Sequence, residues 1–271
     1  MILCFILDNM TIANSVGQVE FQRKNDLLNC LVYSLNEKQK FFITIGIEPR
    51  EPFNTEVRII SPLKNVSISI DFLKRIFGSM GNILSSVLTA PIKKENILLL
   101  EDVETAVWKR AHRKTNVILI KSKIYPKCQV VFKYEHLITL LDLEYVIFDA
   151  INRQNTVNRP IIKKQFEEII DYCFNIFTHE RITNDYNAIT LFVKNIDFTE
   201  VGKHIMKKHD HSYAHEIKTF MSTSIVDRLA DKKTWYNTPQ KKNEHVREFG
   251  WMSLVKSINE EPCTQLPSNY Y

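Results

Sequence analysis

Glycine is scarce in this chain, with six in 271 residues. Loops that cradle phosphates need glycine where backbone must approach the anion. No G-x-G-x-x-G, G-x-x-x-x-G-K-[ST] or G-x-S-x-G occurs, which argues against dinucleotide, P-loop and serine-hydrolase chemistry. No C-x-x-C pair occurs either. The five cysteines, Cys4, Cys30, Cys128, Cys173 and Cys263, are odd in number and widely spaced. That pattern argues against a disulfide framework or zinc knuckle and fits reduced thiols in a nuclear or cytoplasmic setting. No run of 18 apolar residues exists, so no membrane-spanning helix is expected. The apolar run Ile2 to Leu7 is short and lacks a preceding basic residue, so it reads as a strand rather than a secretory signal.

What is present is a chain 44% hydrophobic, enough for a substantial core, with a formal net charge of +5. The first 155 residues alternate short strand-like runs with apolar helical runs, and the rest reads as helix and loop. Strands are expected at 27–35, 41–47, 56–60 and 66–70. Asp71 suits a helix N-cap, since its carboxylate can accept unpaired amide hydrogens. Phe72, Leu73, Ile76, Phe77, Met80, Ile83, Leu84, Val87 and Leu88 follow at helical spacing. The pattern recurs with strands at 105–112, 117–123 and 128–134 and a helix at 135–151. Strands leading into one apolar helix thus occur twice, about 65 residues apart, within the usual boundary error. The reading is a tandem repeat with units about 17–91 and 103–155, the second one shorter. Both helices are too apolar for a surface position, so each is expected to bury against the other. A helical region at 156–258 and a loose tail at 259–271 complete the division. Within it, helices are expected at 159–180 and near 199–208, 212–230 and 243–258. The fold class is α+β.

Residues 105–134 carry Lys109, Arg110, Arg113, Lys114, Lys121, Lys123, Lys127 and Lys133 and no Asp or Glu. Trp108, Tyr125, Phe132 and Tyr134 are interleaved. A sheet face with lysine and arginine attracts phosphates through counterion release. Aromatic rings on it can stack unpaired bases. Strand alternation puts Trp108 and Arg110 on one face and Lys109 and Ala111 on the other. The blander alternative is a solvated hairpin whose lysines serve solubility.

Residues 21–88, from FQRKNDLLNCLVYSL to GNILSSVL, resemble the C-terminal domain of the positive cofactor four family of transcriptional coactivators. Residues 105–151 are similar, with a cropped third-strand region. The resemblance spans roughly residues 20–153 and rests on element order. It implies four antiparallel strands followed by a helix, helix-to-helix pairing of two copies, and single-stranded DNA on the sheets. Two copies in one chain then imply an internal pseudo-dimer, so that the chain can act as a monomer. The family uses basic and aromatic residues on its first hairpin and neighbouring strands. The matching residues in the second unit are Trp108, Lys109, Arg110, Arg113 and Lys114; Lys121 and Lys123, which share a strand face, join them from the charge pattern alone. The first unit offers only Lys38 and Lys40, opposed by Glu37, so the second unit is expected to dominate.

Other constellations were weighed. His204, His209, His211 and His215 cluster, and the four-residue spacing of His211 and His215 suits one helix face, as a zinc site requires. The plainer reading is a basic, solvent-facing helix. Cys173 falls on an apolar stripe, and no nucleophile has a recognisable base partner. Lys232, Lys233, Trp235, Tyr236, Lys241 and Lys242 form a second basic and aromatic stretch. The expectation is therefore a non-enzymatic, cofactor-free, single-stranded DNA or RNA binding protein serving transcription or replication. The rival class is a structural or adaptor protein whose helical C-terminal half binds a protein partner. A third is a metal enzyme built on His211 and His215.

Overall fold

The computed structural model describes residues 26–62, 64–91, 96–125, 127–179 and 185–237, with side chains described as far as Lys232. It has the mixed α+β class expected, with two four-stranded antiparallel sheets, each followed by helices, and then a helical region. The first sheet runs in the order β1 (Leu28–Asn36), β2 (Phe41–Ile47), β3 (Thr55–Ile60), β4 (Asn65–Ile68). Helices α1 (Ile70–Gly78) and α2 (Met80–Leu88) follow. The second sheet repeats the order with β5 (Asn96–Glu101), β6 (Thr105–His112), β7 (Thr115–Ser122) and β8 (Gln129–Phe132), then α3 (Tyr134–Asp142) and α4 (Glu144–Arg153).

The repetition extends to details. Each copy's helix starts one residue after a cap, Ser69 in the first and Lys133 in the second, and each breaks once, at Ser79 and at Leu143. The same interval separates both pairs. The cap in the first copy is Ser69, not Asp71: its hydroxyl oxygen accepts from the Phe72 amide at 3.2 Å. Asp71 lies in the first turn, where its charge complements the helix dipole.

Strand β5 corrects the expectation of a shorter second copy. Ile97 to Leu100 are four consecutive aliphatics, and a register shift between Leu98 and Leu100 breaks the period-two alternation. The strand therefore carries no alternating signature. It makes the second sheet complete, and it turns the β6–β7 hairpin into the second and third strands of the copy. The counterpart of the β1–β2 turn bearing Lys38 and Lys40 is then the acidic turn Asp102–Glu104, not the Arg113–Lys114 turn.

The copies exchange helices. Helix α2 packs on β7 of the second sheet, while α3 and α4 pack on β1 and β2 of the first. Phe77 meets Phe148 at 5.4 Å between helices, and Phe41 meets Phe132 edge-on at 4.9 Å. One continuous core contains Ile43, Ile45, Val57, Ile59, Val107, Ile118, Ile120 and Phe132. Each such buried side chain contributes about 1.5–3 kcal/mol by area removed from water. After α4 a π-turn (Gln154–Asn158) ties the helices to the first sheet. The buried Gln154 amide donates to the Asn29 carbonyl at 2.7 Å, and Thr55 donates to the Asn155 side chain at 2.8 Å.

Helices α5 (Arg159–His179), α6 (Tyr186–Asn195), α7 (Phe198–Met206) and α8 (Ala214–Asn237) complete the described chain. The chain divides into two compact units. Among the described residues, one holds the repeats, up to Ile169, and Asp197–Met221; the other holds Ile170–Ile196 and the helix from Ser222 to Asn237. In the second unit, Phe177 packs against Phe192 at 5.5 Å and the Tyr186 hydroxyl donates to Asp227 at 3.0 Å. Cys173 is fully buried there, and burial pushes its thiol up to about 12, so it is a core residue and not a nucleophile. No helix among the described residues is long and apolar enough to cross a membrane. The expected Ile2–Leu7 strand, the helix at 243–258 and the tail at 259–271 lie outside the described residues, as do Lys241, Lys242 and the side chains of Lys233, Trp235 and Tyr236. Lys232 pairs with Asp171.

Candidate nucleic-acid interface

Register decides what each strand residue can reach. On β6 and β7 the pairs Val107–Ile120 and Lys109–Ile118 turn inward to the core, and Trp108–Leu119 and Arg110–Val117 share the opposite face, where Arg110 is exposed, Trp108 and Leu119 are half-buried and Val117 is buried. Extending the outward row to both edges pairs Leu98 with Trp108 and Leu119 with Val131. Leu98, Trp108, Leu119 and Val131 thus form one apolar row, a residue from every strand, across the outer face. Leu98 keeps 40% and Val131 44% of its surface exposed. The sequence did not single out the three aliphatic members, because only strand pairing aligns them.

Arg110 stands exposed on the adjoining row, opposite Asn96 and Val117. Arg113 and Lys114 follow in the tight β6–β7 turn, both exposed. Arg113 has φ 56°, the left-handed region that costs a non-glycine residue about 1–2 kcal/mol. A guanidinium is kept where glycine would relax the backbone.

The remaining expected residues divide. Lys109 is taken off the surface. It is only 9% exposed, faces inward, and its ammonium donates to Thr89 Oγ1 at 2.9 Å, at the C-terminal end of α2. The Asn116 amide joins it, donating to the Thr89 carbonyl at 2.8 Å. Together they satisfy the unpaired end of the helix, where a cation also meets the negative pole of the dipole. Lys121 lies on the outer face, half-buried, between Ala106 and Gln129. Lys123 is exposed at that end but already engaged, to Glu101 at 3.1 Å and to the Asp102 carbonyl at 2.8 Å. Lys38 and Lys40 are exposed in the β1–β2 turn of the other sheet. Of the interleaved aromatics, Phe132 is fully buried in the core, whereas Tyr125 and Tyr134 are exposed.

The acid-free stretch of sequence is not acid-free in space. Strand β5 and its turn bring Glu101, Asp102 and Glu104 to the far end of β6 and β7. The Asp102 carboxylate is fixed there, accepting from the Glu104 and Thr105 amides at 2.9 and 2.6 Å. The outer face is therefore purely cationic at the Arg110–Arg113–Lys114 end and of mixed charge at the other, where Lys121 and Lys127 stand with Glu101, Asp102 and Glu104.

The equivalent face of the first sheet is built differently. Its corresponding row is Val32, Thr44, Arg58 and Ser67. Thr44 is fully buried, and Arg58 is paired with both Glu56 and Asp26. Those two carboxylates raise the pKa of the guanidinium, outweighing burial, the largest single effect, which lowers it. Leu27 lies over this face because Gly46 leaves room; a Cβ on Gly46 would sit 2.7 Å from that of Leu27.

The histidine cluster forms neither the alternative His211–His215 helical pair nor a single solvent-facing helix. Helix α8 begins at Ala214, so His211 lies in the preceding turn and only His215 is helical. The His211 carbonyl accepts from Gln165 at 2.6 Å, and His209 is bonded to Glu168 at 3.1 Å. Among the described residues no group of three or more His, Cys, Asp or Glu side chains is placed to hold a metal ion. Comparison of the chain with protein-family models, curated proteins and solved structures returns no match.

Proposed function

We propose that the outer face of the second sheet binds single-stranded nucleic acid, DNA or RNA, without catalysing a reaction, in a transcription- or replication-associated role in the nucleus or cytoplasm. One observation carries this reading: an apolar row, exposed at its edges Leu98 and Val131 and half-buried at Trp108 and Leu119, lies directly beside Arg110, Arg113 and Lys114. Unpaired bases present both an apolar face for the row and a phosphate for the cations. Duplex DNA hides its bases and has no use for Trp108. The order of four strands then helices, twice, with exchanged helices, is what supports likeness to the positive cofactor four family and the reading of the chain as an internal pseudo-dimer.

The exposed aliphatics Leu98 and Val131 favour one other reading, a protein-docking face. Titration of a labelled oligonucleotide, followed by fluorescence anisotropy with single-stranded and duplex forms, separates the two. The expected result is binding of the single strand, weakened in the Trp108→Ala/Arg110→Ala variant. An unchanged titration for that variant, shown folded by circular dichroism, refutes the nucleic-acid reading.

A further inference from the structure

We infer that a bound strand crosses the second sheet from β5 to β8, along the Leu98–Trp108–Leu119–Val131 row, and that each chain holds one such strand. The inference rests on the nucleic-acid reading above and adds its path and its number. A polyanion on this face has two simple courses. Running lengthwise along β6 and β7, it leaves Arg110, Arg113 and Lys114 and arrives at Glu101, Asp102 and Glu104. Lys123, one of the exposed cations at that end, is spent on Glu101 and the Asp102 carbonyl, and Arg75 donates to the Glu101 carbonyl. Asp102 is held in place by three hydrogen bonds, the third donated by the Ser69 hydroxyl at 3.2 Å. A phosphate arriving there meets fixed like charge.

Running crosswise, the strand keeps its phosphates on the Arg110 side and lays its bases on the apolar row. Three inter-strand steps make that row about 14 Å long. The single aromatic member, Trp108, sits on an inner strand and offers one stacking surface, so the row accepts any base there. The number follows from the first sheet. Its equivalent row holds no aromatic ring, its central Thr44 is fully buried and its arginine is neutralised by Asp26 and Glu56, so it offers a strand neither a stacking surface nor a free charge.

The test uses the full chain and labelled oligothymidylates at low salt. Arg110→Ala and Arg113→Ala are expected to weaken binding, whereas Glu101→Gln/Glu104→Gln is expected to change affinity by less than about twofold. Lys38→Ala/Lys40→Ala is expected to change nothing, and an oligomer of about 8 nucleotides is expected to saturate at one per chain. Tightening of about fivefold or more in the Glu101→Gln/Glu104→Gln variant places the strand lengthwise and overturns the path. Two short oligomers per chain, or loss of binding on removing Lys38 and Lys40, overturns the single site. Wild-type chain that binds no oligonucleotide overturns the underlying reading as well, so the two failures are distinguishable.

Discussion

Removing the three exposed cations at the turn end of the second sheet gives the sharpest numerical test. Each phosphate neutralised by a protein cation on a single strand contributes about −0.7 to the slope of log affinity against log salt. Arg110, Arg113 and Lys114 are exposed, and no carboxylate of β5 faces them across the sheet; Lys109 is excluded because its ammonium is bonded to Thr89. Three contacts give a slope of about −2, or about an 18-fold loss of affinity between 50 and 200 mM salt. Arg110→Ala alone should reduce the slope to about −1.4 and the loss to about 7-fold. Arg110→Ala/Arg113→Ala/Lys114→Ala should bring the slope near zero. Anisotropy titrations at four salt concentrations measure it directly. A triple variant that is folded and keeps the wild-type slope refutes the assignment of these residues, because counterion release tracks the number of contacts and not their geometry.

Four further outcomes follow from named contacts. Trp108→Ala should cost about 1–3 kcal/mol of oligonucleotide affinity, with Trp108→Phe retaining most of it, as read by the same titrations. Lys109→Ala should lower unfolding free energy by about 1.5–3 kcal/mol in urea, through loss of a charge-assisted bond, and leave affinity unchanged. Arg113→Gly should raise stability by about 0.5–1 kcal/mol while removing about 0.7 from the salt slope, because the strain and the charge occupy one residue. His136 is buried beside Phe41, its Nδ1 accepting from the Lys133 amide, and burial lowers its pKa. The unfolded state therefore binds the proton more readily, so stability present above about pH 6.5 should decline as pH falls from there through the lower folded value. Urea midpoints at pH 7, 6 and 5 should drift downward, and His136→Gln should flatten the drift.

The fold was largely legible because its signals are local. The alternation of Val66–Ile68 and the helical spacing from Phe72 to Leu88 each follow from one face turned to the core, and strand β6 lies where expected, whereas the expected strand 66–70 ends at Ile68 because Ser69 caps the helix that begins at Ile70. Strand β5 was missed because a bulge and four consecutive aliphatics erase alternation. The helix breaks at Ser79 and Leu143 were missed because hydrophobic spacing runs on through them. The site was legible in part. Alternation correctly placed Trp108 with Arg110, yet charge counting also enrolled Lys109, whose partner Thr89 is distant in sequence. The acid-free look of residues 105–134 concealed Glu101 and Asp102, which only strand pairing brings alongside. The four-residue spacing of His211 and His215 is not a helical pair because the helix begins only at Ala214.

The exchange of helices has an evolutionary consequence. Once α2 props up β7 while α3 and α4 prop up β1 and β2, no cut between the duplicated halves leaves either with a finished interior. Stability is then a joint possession, and the two outer surfaces need not be maintained alike. One half could bury Thr44 and neutralise its arginine, while the other was free to place Leu98 and Val131 at exposed edges, a luxury a lone copy of this size would struggle to sustain.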